Sequence, residues 1–140
     1  MNMEGAQSVL STLQRAVGAD NFIVDETLRD FYSTDIREKR ETALAIVQPT
    51  SIEALQAVVA ACADAGVAVV SRGGGMSYSG GYTHDVPSSI ALGTSKLNRI
   101  VDLNVTNNTV TVEAGVTWAV LDAELKKHGL RTPFYGPFSG

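Results

Sequence analysis

Ser71-Arg72-Gly73-Gly74-Gly75-Met76-Ser77-Tyr78-Ser79-Gly80-Gly81 is the stretch that decides how this chain folds. Five glycines, Gly73, Gly74, Gly75, Gly80 and Gly81, fall within nine positions. At that density the main chain can take positive φ, and no Cβ atoms keep a ligand away from the backbone amides. Successive exposed N–H groups then form a concavity suited to an anion. Ser77 and Ser79 add hydroxyl donors, and a diphosphate is the natural guest. Two familiar phosphate loops fail against the segment. A Walker loop ends in Gly-Lys-Ser/Thr, whereas Gly80 is followed by Gly81 and Tyr82. The dinucleotide fingerprint, counted from Gly73 and Gly75, puts Tyr78 where a third small residue belongs. Gly80-Gly81 and Pro87 predict a long loop rather than a helix start. The competing reading is a glycine hinge that binds nothing.

Upstream of this loop the pattern is α/β. Residues 67–70 form an apolar, β-branched run, and residues 43–47 form another that ends at Pro49. Between them Thr50-Ser51-Ile52-Glu53 has the form of a capping box, with Thr50 as the cap. Ile52, Leu55, Val58, Val59 and Cys62 share one face of the helix that follows, and Gly66 is its left-handed stop. Two strands joined by a helix predict a βαβ unit with parallel pairing. Val9, Leu10, Leu13, Ala16 and Val17 give a helix over 6–17 stopped by Gly18, and a short helix is predicted over 26–32. Residues 35–41 read as a solvated connector of mixed charge.

Downstream, residues 89–92, 100–103 and 109–114 read as strands, with a tight turn at Asn107-Asn108. Thr117 can cap a last helix whose inner face is Trp118, Leu121 and Leu125; Lys126, Lys127 and His128 suit its C-terminal dipole, and Gly129 ends it. The expected fold class is therefore α+β (α/β): a small parallel βαβ lobe followed by the start of a second, mainly antiparallel β lobe.

The chain has 140 residues, 44% of them hydrophobic, and a net charge of −4, which fits one globular domain with a core of its own. With a pI near 5.0 and no basic cluster, no nucleic acid is expected as a partner. A single cysteine, Cys62, allows no internal disulfide; on the apolar face of its helix it reads as an inert core thiol. No metal is expected: His84 and His128 are isolated, His84 reading as a surface-loop residue and His128 as part of a helix end. No signal peptide and no membrane span are predicted, and a cytoplasmic setting is the default expectation. Trp118 reads as core packing, whereas Tyr78, Tyr82 and Tyr135 could border a ligand or simply pack.

Several ordered segments carry a resemblance. They are Tyr32-Ser33-Thr34-Asp35, Ala45-Ile46-Val47-Gln48-Pro49-Thr50-Ser51-Ile52-Glu53-Ala54-Leu55, Arg72-Gly73-Gly74-Gly75-Met76-Ser77, Lys96-Leu97-Asn98-Arg99-Ile100, Val112-Glu113-Ala114-Gly115-Val116-Thr117-Trp118 and Gly136-Pro137-Phe138-Ser139-Gly140. Together they resemble the FAD-binding domain of the vanillyl-alcohol oxidase / p-cresol methylhydroxylase (PCMH) family. The resemblance implies that Gly73, Gly74, Gly75, Met76 and Ser77 form the pyrophosphate loop with Arg72 just before it. It makes Gly80 and Gly81 the far wall and Pro137, Ser139 and Gly140 the start of a second FAD-contacting stretch. Gly115 falls where the backbone passes close to the cofactor, or else serves only as a strand-to-helix turn.

The implied activity is oxidation of an alcohol or hydroxy acid by hydride transfer to flavin. No residue here pairs a nucleophile with a base, so no catalytic side chain is assigned; in flavin enzymes the cofactor carries the redox chemistry. Some family members bear a histidine at the position of Met76 and attach the flavin through it; Met76 cannot, so FAD is expected to be non-covalent. The family's FAD domain continues past the position of Gly140. Residues 1–140 are therefore expected to be the N-terminal part of a PCMH-type domain, inactive alone, with the small-molecule substrate met by an absent domain and the oligomeric state open. Two alternatives stand beside this: a non-catalytic binding or assembly module, and an enolpyruvyl sugar-nucleotide reductase of the same fold.

Overall fold

A computed structural model describes residues 3–133. Helix α1 (Met3–Val17) leads through a 3-10 turn (Ala19–Asn21) to strand β1 (Phe22–Ile23) and helix α2 (Glu26–Tyr32). Strand β2 (Ile46–Val47), helix α3 (Ile52–Ala65), and strands β3 (Ala68–Arg72) and β4 (Ser89–Gly93) complete a first lobe. Strands β5 (Ile100–Asn104) and β6 (Thr109–Val112) form a separate antiparallel pair, followed by helix α4 (Trp118–Lys127).

The helices stop where backbone chemistry requires it. Gly18, Gly66 and Gly129 follow α1, α3 and α4 at φ 83°, 65° and 69°, a region costly for any residue with a Cβ. Asp25 caps α2 by accepting from the Leu28 N–H, and Thr117 caps α4 by accepting from the Val120 N–H, as expected of Thr117. The cap of α3 is shifted by one from the sequence expectation: Ser51, not Thr50, accepts from the Ala54 N–H at 3.2 Å. Both hydroxyl residues suit an N-cap; Ser51 has the extended backbone the position needs, at φ −149° and ψ 165°.

The four-stranded sheet runs β1-β2-β4-β3. β2 and β3 are parallel, as the βαβ pattern predicts, but they are not neighbours: β4 lies between them and pairs in parallel with both. The run 89–92, expected to lead into the antiparallel lobe, is thus the central strand of the first. All five of its residues are buried, as a strand covered on both faces must be. On one face Ile90 and Leu92 join Val47, Leu13, Val58 and Cys62 under α1 and α3; on the other Ala91 meets Ala43 and Ile46, with Tyr32 packed against them. Fully burying side chains such as Leu13 and Ile90 stabilises the fold by about 1.5–3 kcal/mol each. Cys62 is part of this core, and burial pushes its thiol pKa up, so the inert reading holds.

In the second lobe Asn108, at φ 53°, makes the predicted turn between β5 and β6. Glu113 is buried just beyond β6 and accepts from Arg99 at its main-chain N–H (2.8 Å), Nε (3.0 Å) and Nη2 (2.7 Å). Among the described residues no helix is long and apolar enough to cross a membrane.

Candidate functional site

The parallel strands β3 and β4 lie side by side and end together at Arg72 and Gly93. In open α/β sheets, ligands bind outside such carboxyl ends. Here the glycine loop leaves β3 and the turn beginning at Thr94 leaves β4, tied by the Thr94 N–H donating to the Arg72 carbonyl at 3.1 Å. A cleft of about 310 Å³ opens at this point. It is lined by Gly73, Gly74, Met76 and Tyr82 from the segment after β3, by Thr94 and Ser95 after β4, and by the turn from Ala114 to Trp118.

The two lobes meet at Gly115. Its N–H donates to the Leu97 carbonyl at 2.7 Å. A Cβ there would sit 2.7 Å from the Leu97 oxygen, 2.9 Å from the Thr94 carbonyl carbon, and closer still to the Thr94 oxygen. Only glycine permits this approach. Gly115 therefore serves as more than a turn between strand and helix: it lets two main-chain segments touch beneath the cleft.

The amides of the glycine loop are unengaged. Within the described residues, the main-chain N–H groups of residues 73–77 donate no hydrogen bond. Such donors are costly to leave without a partner unless water or a ligand takes them. Gly74 has no neighbouring atom within 4 Å of where a Cβ would lie, and Gly73 only the Thr94 hydroxyl at 3.9 Å, so a ligand can reach this backbone.

Other sequence-predicted residues have different roles. Arg72 is buried at the end of β3, and its guanidinium turns toward the C-terminal end of α2. Nη1 donates to the carbonyls of Phe31, Tyr32 and Thr34, each at 3.1 Å. The Phe31, Tyr32 and Tyr82 rings surround it at 4.8, 5.1 and 4.8 Å. Arg72 does not line the cleft, and its carbonyl is already taken by the Thr94 N–H. The Ser77 hydroxyl, expected to face a phosphate, donates to the Asp35 carboxylate at 3.3 Å and accepts from the Gly81 N–H at 3.0 Å. It shapes the loop from behind. Gly80, at φ 76°, and Gly81 belong to the return of the loop and do not line the cleft. Pro137, Ser139 and Gly140, like Tyr135, lie outside the described residues.

Asp35, quoted for the resemblance but assigned no role there, organises the site. Its Oδ1 accepts from the Arg37 N–H at 2.7 Å and the Glu38 N–H at 3.1 Å. The Arg37 amide, opposed by burial and joined by the amides of Glu38 and Gly80 and the Ser77 hydroxyl, holds its pKa below the ordinary carboxylate value. Trp118, expected in the core, is half-buried on the cleft wall. Tyr82 lines the cleft and donates to the Met76 carbonyl at 3.3 Å, while Tyr78 is exposed. Val116 and Thr117, quoted for the resemblance and Thr117 also as a helix cap, line the cleft as well, whereas Thr94 and Ser95 went unnoticed in the sequence; they directly follow a parallel strand, which becomes a signal once β4 is assigned to the first sheet.

His84 is the sharpest correction. Expected at the surface, it is fully buried. Its Nδ1 meets the Ser89 hydroxyl at 2.8 Å, and that hydroxyl donates to the Val86 carbonyl. Nδ1 is thus the protonated nitrogen, and Nε2 has no hydrogen-bond partner among the described residues. Burial pushes the His84 pKa down, with Asp85 opposing. Among the described residues no cluster of three or more His, Cys, Asp or Glu could hold a metal ion.

Main-chain turns at the carboxyl ends of parallel strands, with amides of residues 73–77 unpaired among the described residues, make a cleft of the kind a nucleotide-cofactor-binding domain needs. The chain belongs to the FAD binding domain family, whose profile matches residues 43–139. It is 32% identical over 123 residues to D-2-hydroxyglutarate dehydrogenase of Xanthomonas citri pv. viticola, covering 87% of this chain and 26% of that protein. It is 28% identical over 131 residues to glycolate oxidase subunit GlcD of Escherichia coli, covering 93% and 26% respectively. The crystal structure of p-cresol methylhydroxylase with substrate bound matches with a TM-score of 0.74 at 17% identity, over 93% of this chain and 26% of that one. The PCMH-type fold expected from the sequence is the fold observed. The chain spans about a quarter of the length of these relatives.

Proposed function

We propose that the cleft holds the diphosphate of FAD on the amides of residues 73–77, and that the protein oxidises an alcohol or hydroxy acid, with a hydroxy acid favoured. The observation that carries the first part is the set of free N–H donors beside a glycine-walled opening. The second part is supported by relatives named for 2-hydroxyglutarate and glycolate. The chemistry that bound FAD supplies is acceptance of two electrons as a carbinol C–OH becomes C=O with loss of two protons. The chain's own residues bind and orient. The loop amides hold negative charge, the Ser95 hydroxyl, which accepts from Gln48, keeps its own proton to donate, and Met76 and Trp118 give the lining apolar surface. Met76 has a thioether and no nucleophilic nitrogen, so the cofactor is held without a covalent bond to this position.

The test is direct. Titration of FAD into the purified protein is expected to quench flavin fluorescence and raise the melting temperature. In the full-length protein loaded with FAD, anaerobic addition of D-2-hydroxyglutarate or glycolate is expected to bleach the flavin absorbance. A protein indifferent to FAD refutes the binding reading; a loaded protein bleached by neither acid refutes the substrate class. Yellow colour retained in an acid-washed pellet refutes non-covalent attachment.

A further inference from the structure

The guanidinium of Arg72 is buried, engages three main-chain carbonyls and three aromatic rings, and forms no ion pair among the described residues. A buried charge without a countercharge is costly to keep, and packing alone would be served as well by an apolar chain of similar length. The position of the guanidinium accounts for its retention. It sits directly behind the glycine loop: a Cβ on Gly75 would lie 3.3 Å from its Nη2 and 3.8 Å from its Nε. It also binds the segment from Phe31 to Thr34, and the neighbouring Asp35 reaches the loop through the Ser77 hydroxyl.

We infer that Arg72 is a positioning residue for the cofactor site: it fixes the glycine loop to the segment after α2, and its charge, facing away from the cleft, favours a diphosphate on the loop amides. The inference rests on the FAD reading for its ligand, but the loop-fixing part stands without it. The three carbonyls Arg72 engages lie at the C-terminal end of α2, where partial negative charge collects, so they hold the cation without cancelling it. The carboxylate that organises the loop, Asp35, is taken up by amides and the Ser77 hydroxyl instead. A full positive charge therefore persists close to where the ligand's negative charge would lie, in surroundings that screen it less than water does.

Arg72→Lys keeps the charge and loses the planar fork; Arg72→Met keeps the length and loses both. For each purified variant we would measure FAD affinity, melting temperature without FAD, and hydrogen exchange over residues 79–83, where the Gly81 and Thr83 amides are bonded within the loop. The expected order of affinity is wild type, then Lys, then Met, with Met at least about tenfold weaker, the scale of one charge-assisted interaction. Exchange over 79–83 is expected to quicken in both variants while β3 and β4 stay protected. Affinity in Arg72→Met within twofold of wild type, equal losses in Lys and Met, or unchanged exchange over 79–83 each overturn the inference. So does failure of both variants to fold, which would make Arg72 a residue of the fold alone. If the wild type itself ignores FAD, the functional reading falls, and the exchange measurement still decides whether Arg72 fixes the loop.

Discussion

Gly115→Ala is the most informative single change to the scaffold of the cleft. The added Cβ would lie 2.7 Å from the Leu97 oxygen and 2.9 Å from the Thr94 carbonyl carbon. Both are main-chain atoms, so no side chain can rotate away. The turn from Ala114 to Trp118 must retreat, and the Gly115 N–H then loses its 2.7 Å bond to Leu97. Overpacking of this kind costs about 1–3 kcal/mol, and the lost hydrogen bond about 1 kcal/mol more. The sum, about 2–4 kcal/mol, corresponds to a drop in melting temperature of roughly 6–12 °C for a domain of this size. Because the retreating turn is one wall of the cleft, FAD affinity is expected to fall with it. Gly74→Ala is the matched control. Its Cβ meets nothing within 4 Å, so stability should change by less than about 0.5 kcal/mol. The new methyl group beside the loop amides should still weaken FAD binding. Thermal melts read the first effect and flavin fluorescence titration the second. A Gly115→Ala protein that melts within about 2 °C of wild type would show that the two segments are not in contact, and the description of the cleft would be wrong.

Three further outcomes follow from local geometry. His84 is buried in its neutral form, with its pKa below the ordinary 6.5, so the unfolded chain takes up the proton first. Stability is then full above about pH 6.5 and lost as pH falls toward the folded value, by at most about 1.4 kcal/mol per unit; melting curves from pH 7.5 to 5 should show this slope, and His84→Gln should flatten it. Glu113 accepts both a main-chain amide and the guanidinium of Arg99, and its side chain is 6% exposed against 67% for Arg99. Glu113→Gln should therefore lower the melting temperature by several degrees and Arg99→Ala by clearly less, the reverse order counting against a buried acceptor. Ser51→Ala should cost about 1 kcal/mol through loss of the α3 cap, whereas Thr50→Ala should cost little in the same melts.

What was legible in the sequence had a local cause. Helices α1, α3 and α4 repeat apolar residues at helical spacing and end on glycines that fold to positive φ, so periodicity and stop agree. The glycine loop was legible because missing side chains are visible in one dimension. The order of the sheet was not, since two apolar strands joined by a helix look the same whether they touch or admit a third between them. His84 was misread because Thr83 and Asp85 are polar neighbours, while the structure buries it and joins its carbonyl to the distant Glu41 N–H. Arg72 was read as a ligand contact for the same reason: its partners lie about forty residues upstream in Phe31, Tyr32 and Thr34, and nothing next to it announces them. The segment Tyr32-Ser33-Thr34-Asp35 was quoted for the resemblance before it had a role; the structure gives it one as the backing of the loop.

The division of labour in the cleft explains why its sequence signal is glycine rather than reactive side chains. Three turns converge, one after β3, one after β4 and one after β6, and each contributes main chain at the point of contact. Main-chain donors are the same in every residue, so such a site places few demands on side-chain identity; the demands that remain are negative ones, that nothing obstruct Gly73 and Gly74 from the open side or Gly115 from below. The side chains that do matter, Arg72, Asp35 and Ser77, stand behind the loop and fix its shape without lining the opening. The loop whose amides stay unpaired among the described residues is braced by polar groups that do not line the cleft. Changing those supports should therefore alter cofactor affinity through loop geometry and nearby charge, even though no atom of the ligand need touch them.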